Sequence, residues 1–145
     1  MTFFVIAFIL SGILLHHCQA AVYTAEQYRD FSRKCSKILA TSTEAMQQIK
    51  NSKDPVISDD REVQCFVRCM GIMTGFFGDE ENDTNWDLVA KEMQGKDGFE
   101  EHRKATIECI QALPHEELKS DVCRKAYLSF RCAVESTKKH IKDKN

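Results

Sequence analysis

The feature that most constrains this chain is the pair Cys65 and Cys69, which lies within an apolar run from Val63 to Phe77. Apolar residues recur at helical spacing along this run, so it is predicted to form one helix. The two cysteines are then one turn apart and emerge on the same side of that helix. Because a disulfide between two such positions has marginal geometry, each sulfur is expected to bond to a different neighbouring helix.

The first residues of the chain predict secretion. The apolar run from Phe3 to Leu15 is too short to span a bilayer, which takes about 20 residues. The small residues Cys18 and Ala20 follow it, and this pattern indicates a signal peptide over residues 1–20, cleaved before Ala21. A retained membrane anchor is the weaker alternative, so we expect an extracellular protein without an anchor.

The number of cysteines agrees with cleavage. The chain has seven, and removing Cys18 leaves six, an even number that is typical of three disulfides in an oxidising compartment. The residues themselves leave fifteen pairings open. A zinc site is disfavoured because the sequence contains no C-x2-C pair, and no cofactor or metal is predicted.

Charge and length narrow the function classes. The net charge is −2, and the sequence lacks the basic excess that a nucleic-acid partner would require. The length suits one domain, which we expect over residues 21–145. No nucleophile–base pattern stands out, so an enzyme is not predicted. The acidic segment 79–83 carries a glycosylation sequon at Asn82, but Thr84 stands where a calcium loop needs glycine.

Helix signals cover the mature chain, and no alternating strand pattern occurs. Thr24 and Gln27 form a capping box for the first helix, and Asp59 with Glu62 is a candidate for a second one. Six helices are predicted. The first carries an apolar stripe from Tyr28 to Leu39, the second runs from about Thr43 to Lys50, and the third is capped by Ser58, Asp59 or Asp60 and ends near Gly78. The fourth is capped by Asn85, the fifth runs from about Phe99 to Ala112, and the sixth begins near Leu118 or Ser120.

The cysteine spacing resembles that of a known family. The pattern Cys35-x29-Cys65-x3-Cys69-x39-Cys109-x13-Cys123-x8-Cys132 is similar to that of the six-cysteine insect odorant-binding proteins, which carry pheromones and general odorants. The C-x3-C and C-x8-C intervals are its specific parts. The resemblance implies an all-α fold of six helices around an apolar cavity. It also implies three disulfides, namely Cys35–Cys69, Cys65–Cys123 and Cys109–Cys132.

The residues predicted to line this cavity lie on the apolar faces of the helices. They are Tyr28, Phe31, Val67, Met70, Met73, Phe76, Phe77, Trp86, Leu88, Val89, Ile110, Phe130 and Ala133. Tyr28 and Thr106 are candidates for a polar contact to an alcohol, aldehyde or acid group. The resemblance also implies that Ala133 leaves extra room, because some members carry an aromatic residue there. For each residue, ordinary core packing is the alternative.

The segment from Ser136 to Asn145 is polar and basic, whereas in many members of the family the corresponding tail is an apolar lid. We therefore expect the last helix to continue into a frayed, solvent-exposed end. His102, His115 and His140 could make ligand release depend on pH, although an exposed histidine without such a role is the commoner case.

Together these features predict a secreted, soluble carrier that binds and transports small hydrophobic ligands, such as odorants, pheromones or fatty-acid-like molecules. The rival hypothesis is a secreted helical signalling protein without a cavity, which would expose its excess aromatic residues as an interface. Two macromolecular partners stay open at this stage: a second copy of the chain and a chemoreceptor.

Overall fold

A computed structural model describes residues 22–51, 58–78 and 84–144. Seven helices lie within these ranges: α1 (Ala25–Leu39), α2 (Thr43–Asn51), α3 (Arg61–Thr74), α4 (Trp86–Glu92), α5 (Phe99–Gln111), α6 (His115–Leu118) and α7 (Val122–His140). The predicted signal peptide, the sequon at Asn82 and the acidic segment 79–83 lie outside the described residues. Of the described helices, none has the length and apolar character needed to cross a membrane.

Side-chain caps define the starts of the first helices. The capping box of α1 is confirmed, since Gln27 N donates to Thr24 Oγ1 at 3.2 Å and Thr24 N donates to Gln27 Oε1 at 2.8 Å. Asp60 caps α3 by accepting a hydrogen bond from Glu62 N at 2.8 Å. The predicted second capping box is wrong, because the Glu62 carboxylate accepts instead from Ser42 N at 2.7 Å.

Two helix limits differ from the prediction. Helix α3 ends at Thr74 because Gly75, with φ +72°, adopts the left-handed conformation that terminates helices. The last helix begins only at Val122, and the separate turn α6 occupies the position where it was expected to start. Asn85 caps α4 as predicted, by accepting from Leu88 N at 3.1 Å.

The central position of α3 is confirmed, as it packs against α1, α2 and α7. Cys35–Cys69 joins it to α1 and Cys65–Cys123 joins it to α7, while Cys109–Cys132 joins α5 to α7. The pairing implied by the family resemblance is therefore present. The Cα atoms of the three pairs lie 5.8, 4.6 and 5.7 Å apart, within the usual range for disulfides.

A small buried cluster holds α2, α3 and α7 together. It consists of Ala45, Val63 and Tyr127, and the half-buried Ile49, Val67 and Leu128 pack against it. The Tyr127 hydroxyl accepts a hydrogen bond from Ser58 N at 2.8 Å, which satisfies this polar atom inside the cluster.

The C-terminal tail is not frayed, contrary to the prediction. Two short strands, β1 (Lys96–Asp97) and β2 (Lys142–Asp143), pair antiparallel, and a Cβ atom on Gly98 would collide with the carbonyl oxygen of His140. A two-residue strand is too short to produce an alternating pattern, so no periodicity in the sequence indicated this pair. The strand residues are solvent-exposed, as expected for this polar segment.

Candidate ligand-binding site

Four aromatic side chains meet beside α1 and α3. The ring of Tyr23 lies at their centre, with centroid distances of 5.7 Å to Tyr28, 5.3 Å to Phe31 and 6.4 Å to Phe76. All three pairs are edge-to-face, with interplanar angles of 79°, 89° and 81°, an arrangement favoured by aromatic quadrupoles. We call these four residues the aromatic cluster, and three of them were predicted to line the site.

The disulfide between α1 and α3 explains how this cluster forms. Cys35 near the end of α1 is bonded to Cys69 of α3. Tyr28 and Phe31, nearer the start of α1, share the ring of Tyr23 with Phe76, which follows the end of α3. The two helices therefore run antiparallel. The half-buried Met70 and Met73 lie on the stretch of α3 between the disulfide and the cluster.

Tyr23 was not predicted as a site residue, and two hydrogen bonds hold the segment that carries it. The Tyr23 hydroxyl donates to the carbonyl oxygen of Thr74 at 2.7 Å, and Val22 N donates to Glu92 Oε2 at 2.8 Å. A signal for Tyr23 existed in the sequence. It directly precedes the N-cap Thr24, and its contact with Tyr28 is the hydrophobic staple that often accompanies a capping box.

The cluster also contains polar groups. Burial raises the pKa of the Tyr28 phenol, and the nearby Glu92 carboxylate and Tyr23 raise it further, so this hydroxyl keeps its proton at physiological pH. A protonated hydroxyl can donate a hydrogen bond, which is the property that its predicted role as a polar contact requires. Glu92 had no signal in the sequence, because it approaches Val22 only in the folded chain.

Trp86 and Phe77 border a second feature, a pocket of about 480 Å³ that is open to solvent. It is lined by Gly75, Phe77, Gly78, Thr84, Asn85, Trp86 and Asp87. The Trp86 ring lies 6.2 Å from the His102 ring, and the Arg103 guanidinium lies 5.7 Å above the indole, a cation–π geometry. Trp86 thus connects this pocket with the buried side of α5.

Buried polar residues lie between α5 and α7. His102 is 1% exposed and Thr106 is 0% exposed. Ser136 Oγ donates to the His102 carbonyl oxygen at 2.9 Å and lies 3.1 Å from His102 Nδ1. Since Ser136 has a single hydroxyl proton, Nδ1 must carry the proton of this second bond. Burial, and secondly the charge of His140, lowers the pKa of His102.

Thr106, the other candidate for a polar contact, has a buried hydroxyl without a hydrogen-bond partner. Its usual acceptor in a helix would be the carbonyl of His102, four residues earlier, and that carbonyl accepts from Ser136. The hydroxyl therefore has an unused donor, although the complete burial of Thr106 separates it from open solvent.

The structure places the other predicted residues as follows. Half-buried positions are occupied by Met70, Met73, Leu88, Val89, Ile110 and Ala133. Val67 packs against the small buried cluster instead of the aromatic one. Phe130 is 38% exposed, which is unfavourable for a position inside a cavity. Among the described residues, no three His, Cys, Asp or Glu side chains are arranged to hold a metal ion.

The described residues thus form a helical fold joined by three disulfides, with the aromatic cluster beside α1 and α3. Residues 19–136 match the model of the PBP/GOBP family. The chain therefore belongs to this family, that of the insect pheromone- and odorant-binding proteins, which is a family of binding proteins and not of enzymes. No match to the chain was found among curated proteins or among solved structures.

Proposed function

We propose that this protein is a secreted carrier that binds small hydrophobic molecules, such as odorants, pheromones or fatty-acid-like compounds, and transports them unchanged through extracellular fluid. In this proposal residues 1–20 are removed and residues 21–145 form one carrier domain. Family membership supports the carrier role. The observation that carries it is the aromatic cluster, which presents Tyr28, Phe31 and Phe76 together within the disulfide-linked frame.

The exposure of the aromatic residues favours a carrier over a signalling module. A signalling protein would present its aromatic side chains outward as an interface. Among the described aromatic residues, only Phe130 is exposed to solvent, and most of the others are half-buried. Half-buried rings on inward helix faces suit a site that a ligand completes, and the neighbouring Met70 and Met73 can adapt to ligands of different shape.

The binding energy of such a site comes from apolar burial. A ligand that buries roughly 300 Å² of apolar surface gains about 7 kcal/mol at 25 cal/mol per Å². Loss of translational and rotational freedom reduces this gain. A polar contact to a group such as Tyr28 would add to this apolar contribution and orient the ligand.

Binding can be measured with N-phenylnaphthylamine, a neutral apolar fluorophore, added to the protein secreted with its own leader. The chain has one tryptophan, Trp86, so quenching of its emission reports a ligand near one known position. Native mass spectrometry should show a one-to-one adduct that is lost on denaturation. The same spectra test leader removal and three disulfides through the protein mass.

Two variants locate the site. Phe31→Ala removes a ring of the aromatic cluster and should weaken probe binding about tenfold, the expected loss for one buried aromatic contact. Phe130→Ala removes an exposed ring of the same type and should leave affinity unchanged. Equal affinities in both variants would place the ligand elsewhere. If the unmodified protein binds no probe and shows no adduct, the carrier function is wrong and the signalling hypothesis replaces it.

A further inference from the structure

We propose that Val22 and Tyr23 form a strap that closes the ligand site, with the Tyr23 side chain as its gate. In the closed state, with or without a ligand, the ring covers Tyr28, Phe31 and Phe76, and a ligand enters or leaves when the strap moves away. This inference rests on the proposed carrier function, and it adds the residue that controls how fast ligands enter and leave.

The strap has one anchor on each of two elements that border the cluster. Val22 N donates to Glu92 Oε2 on α4 at 2.8 Å, and the Tyr23 hydroxyl donates to the Thr74 carbonyl oxygen at the end of α3 at 2.7 Å. These contacts join residues 70 and 51 positions apart in the chain. The two hydrogen bonds therefore hold the segment before α1 against α3 and α4, and they are not bonds within a helix.

The backbone allows the strap to move without unfolding a helix. Tyr23 precedes the N-cap Thr24, which is extended, with φ −71° and ψ 159°. The capping box is formed by Thr24 and Gln27 alone and would survive the motion. A swing of the strap breaks two hydrogen bonds and three edge-to-face ring contacts, and it leaves the other three rings of the cluster facing the opening.

The C-terminal tail is attached elsewhere and does not supply this closure. Its strand β2 pairs with β1 between α4 and α5, and the residue before it approaches Gly98 at the start of α5. Lys142 and Asp143 are exposed and too polar to cover an apolar ligand. Within the part of the chain that the structure describes, Tyr23 of the strap contacts the other three rings of the cluster.

The test uses stopped-flow fluorescence with N-phenylnaphthylamine and the secreted protein. Tyr23→Phe keeps the ring but removes the donor to Thr74, and Glu92→Ala removes the acceptor for Val22. Each should raise both the association and the dissociation rate about threefold to tenfold, the expected effect of losing one hydrogen bond, with little change in Kd. Tyr127→Phe is the matched control, because it removes a phenol oxygen that also bonds to main chain, at Ser58 N.

Three outcomes would overturn the gate. Unchanged rates in Tyr23→Phe and Glu92→Ala would show that the strap does not limit exchange. Faster dissociation with unchanged association would make Tyr23 a ligand contact and not a gate. The same rate changes in Tyr127→Phe would reduce the effect to lost stability. If the unmodified protein binds no probe, both the carrier function and the gate are wrong. The other three outcomes differ from this one because in each of them the unmodified protein still binds the probe.

Discussion

Ser136 and His102 are joined by two hydrogen bonds that link α7 to α5. The Ser136 hydroxyl donates to the His102 carbonyl oxygen at 2.9 Å and accepts from His102 Nδ1 at 3.1 Å. Both residues are buried, so water cannot replace either bond. The pair supplements the Cys109–Cys132 disulfide between the same two helices, and it sets the tautomer of the histidine.

Removal of the Ser136 hydroxyl should destabilise the protein. Ser136→Ala leaves the buried ring N–H of His102 without a partner and removes one of the bonds to the His102 carbonyl, for which we expect a loss of about 1–3 kcal/mol. Thr137→Ala is the control, because the Thr137 hydroxyl donates only to Ala133 within its own helix, at 2.9 Å. Urea unfolding followed by circular dichroism measures both. A loss in Thr137→Ala as large as that in Ser136→Ala would contradict a special role for the pair.

Acidification should destabilise the protein through His102. Burial and the charge of His140 lower the pKa of this histidine below its ordinary value of about 6.5, so the unfolded chain binds the proton first as the pH falls. Stability contributed by neutral His102 is therefore present above about pH 6.5 and decreases toward the folded pKa. The lowered pKa values of Asp30, Glu62 and Asp121 act only in a more acidic range, below about pH 4.5.

Melting temperatures measured from about pH 7.5 to about pH 5.5 test this expectation. The unmodified protein should melt at lower temperature as the pH falls, and His102→Gln should show a shallower decline even if it is less stable at every pH. An identical slope in both proteins would assign the pH dependence to other groups.

Gly98→Ala should destabilise the protein more than Gly75→Ala. Both glycines have positive φ, +90° and +72°, so each substitution places alanine in a left-handed conformation, at about 1–2 kcal/mol. Only at Gly98 does the new Cβ also collide with a neighbouring backbone, at the His140 carbonyl. At Gly75 it would lie 3.7 Å from Leu88, an ordinary contact. Thermal unfolding measures the difference, and equal losses would show that the tail can move away from Gly98 freely.

Removal of single disulfides should lower stability in the order of their loop lengths. Cys65–Cys123 joins residues 58 apart and Cys109–Cys132 joins residues 23 apart. The chain-entropy model then gives losses of about 4 and about 3 kcal/mol for the respective double Cys→Ala variants. Urea unfolding compares the two proteins. A larger loss for the shorter loop would show that contacts in the folded state outweigh chain entropy here.

Local signals explain why most helices were predictable. The capping box of Thr24 and Gln27 and the cap at Asn85 act within three residues of the chain, so the sequence around each cap contains all the information needed. Asp60 was one of three candidate caps for α3, and the partner of the Glu62 carboxylate proved to be Ser42 N, 20 positions away in the chain.

The candidate site was predictable only in part. Tyr28 and Phe31 lie on the apolar face of α1, and with Phe76, which follows α3, they surround Tyr23. In contrast, Phe130 satisfies the same periodicity and is exposed. Periodicity identifies a face that packs against something, but it does not distinguish a ligand cavity from a core or a surface groove. Tyr23 was overlooked because it lies outside any helix, although the staple position before Thr24 indicated it.

The sequence by itself determined the helices, the cysteine spacing that marks the family and the polar character of the tail, because these properties depend on residues near one another in the chain. Only the tertiary structure decided which side chains meet across the fold. Val22 reaches Glu92 over 70 positions, Tyr23 reaches Thr74 over 51, and Ser136 reaches His102 over 34. Such partners come together when the helices pack, and no local pattern records their approach.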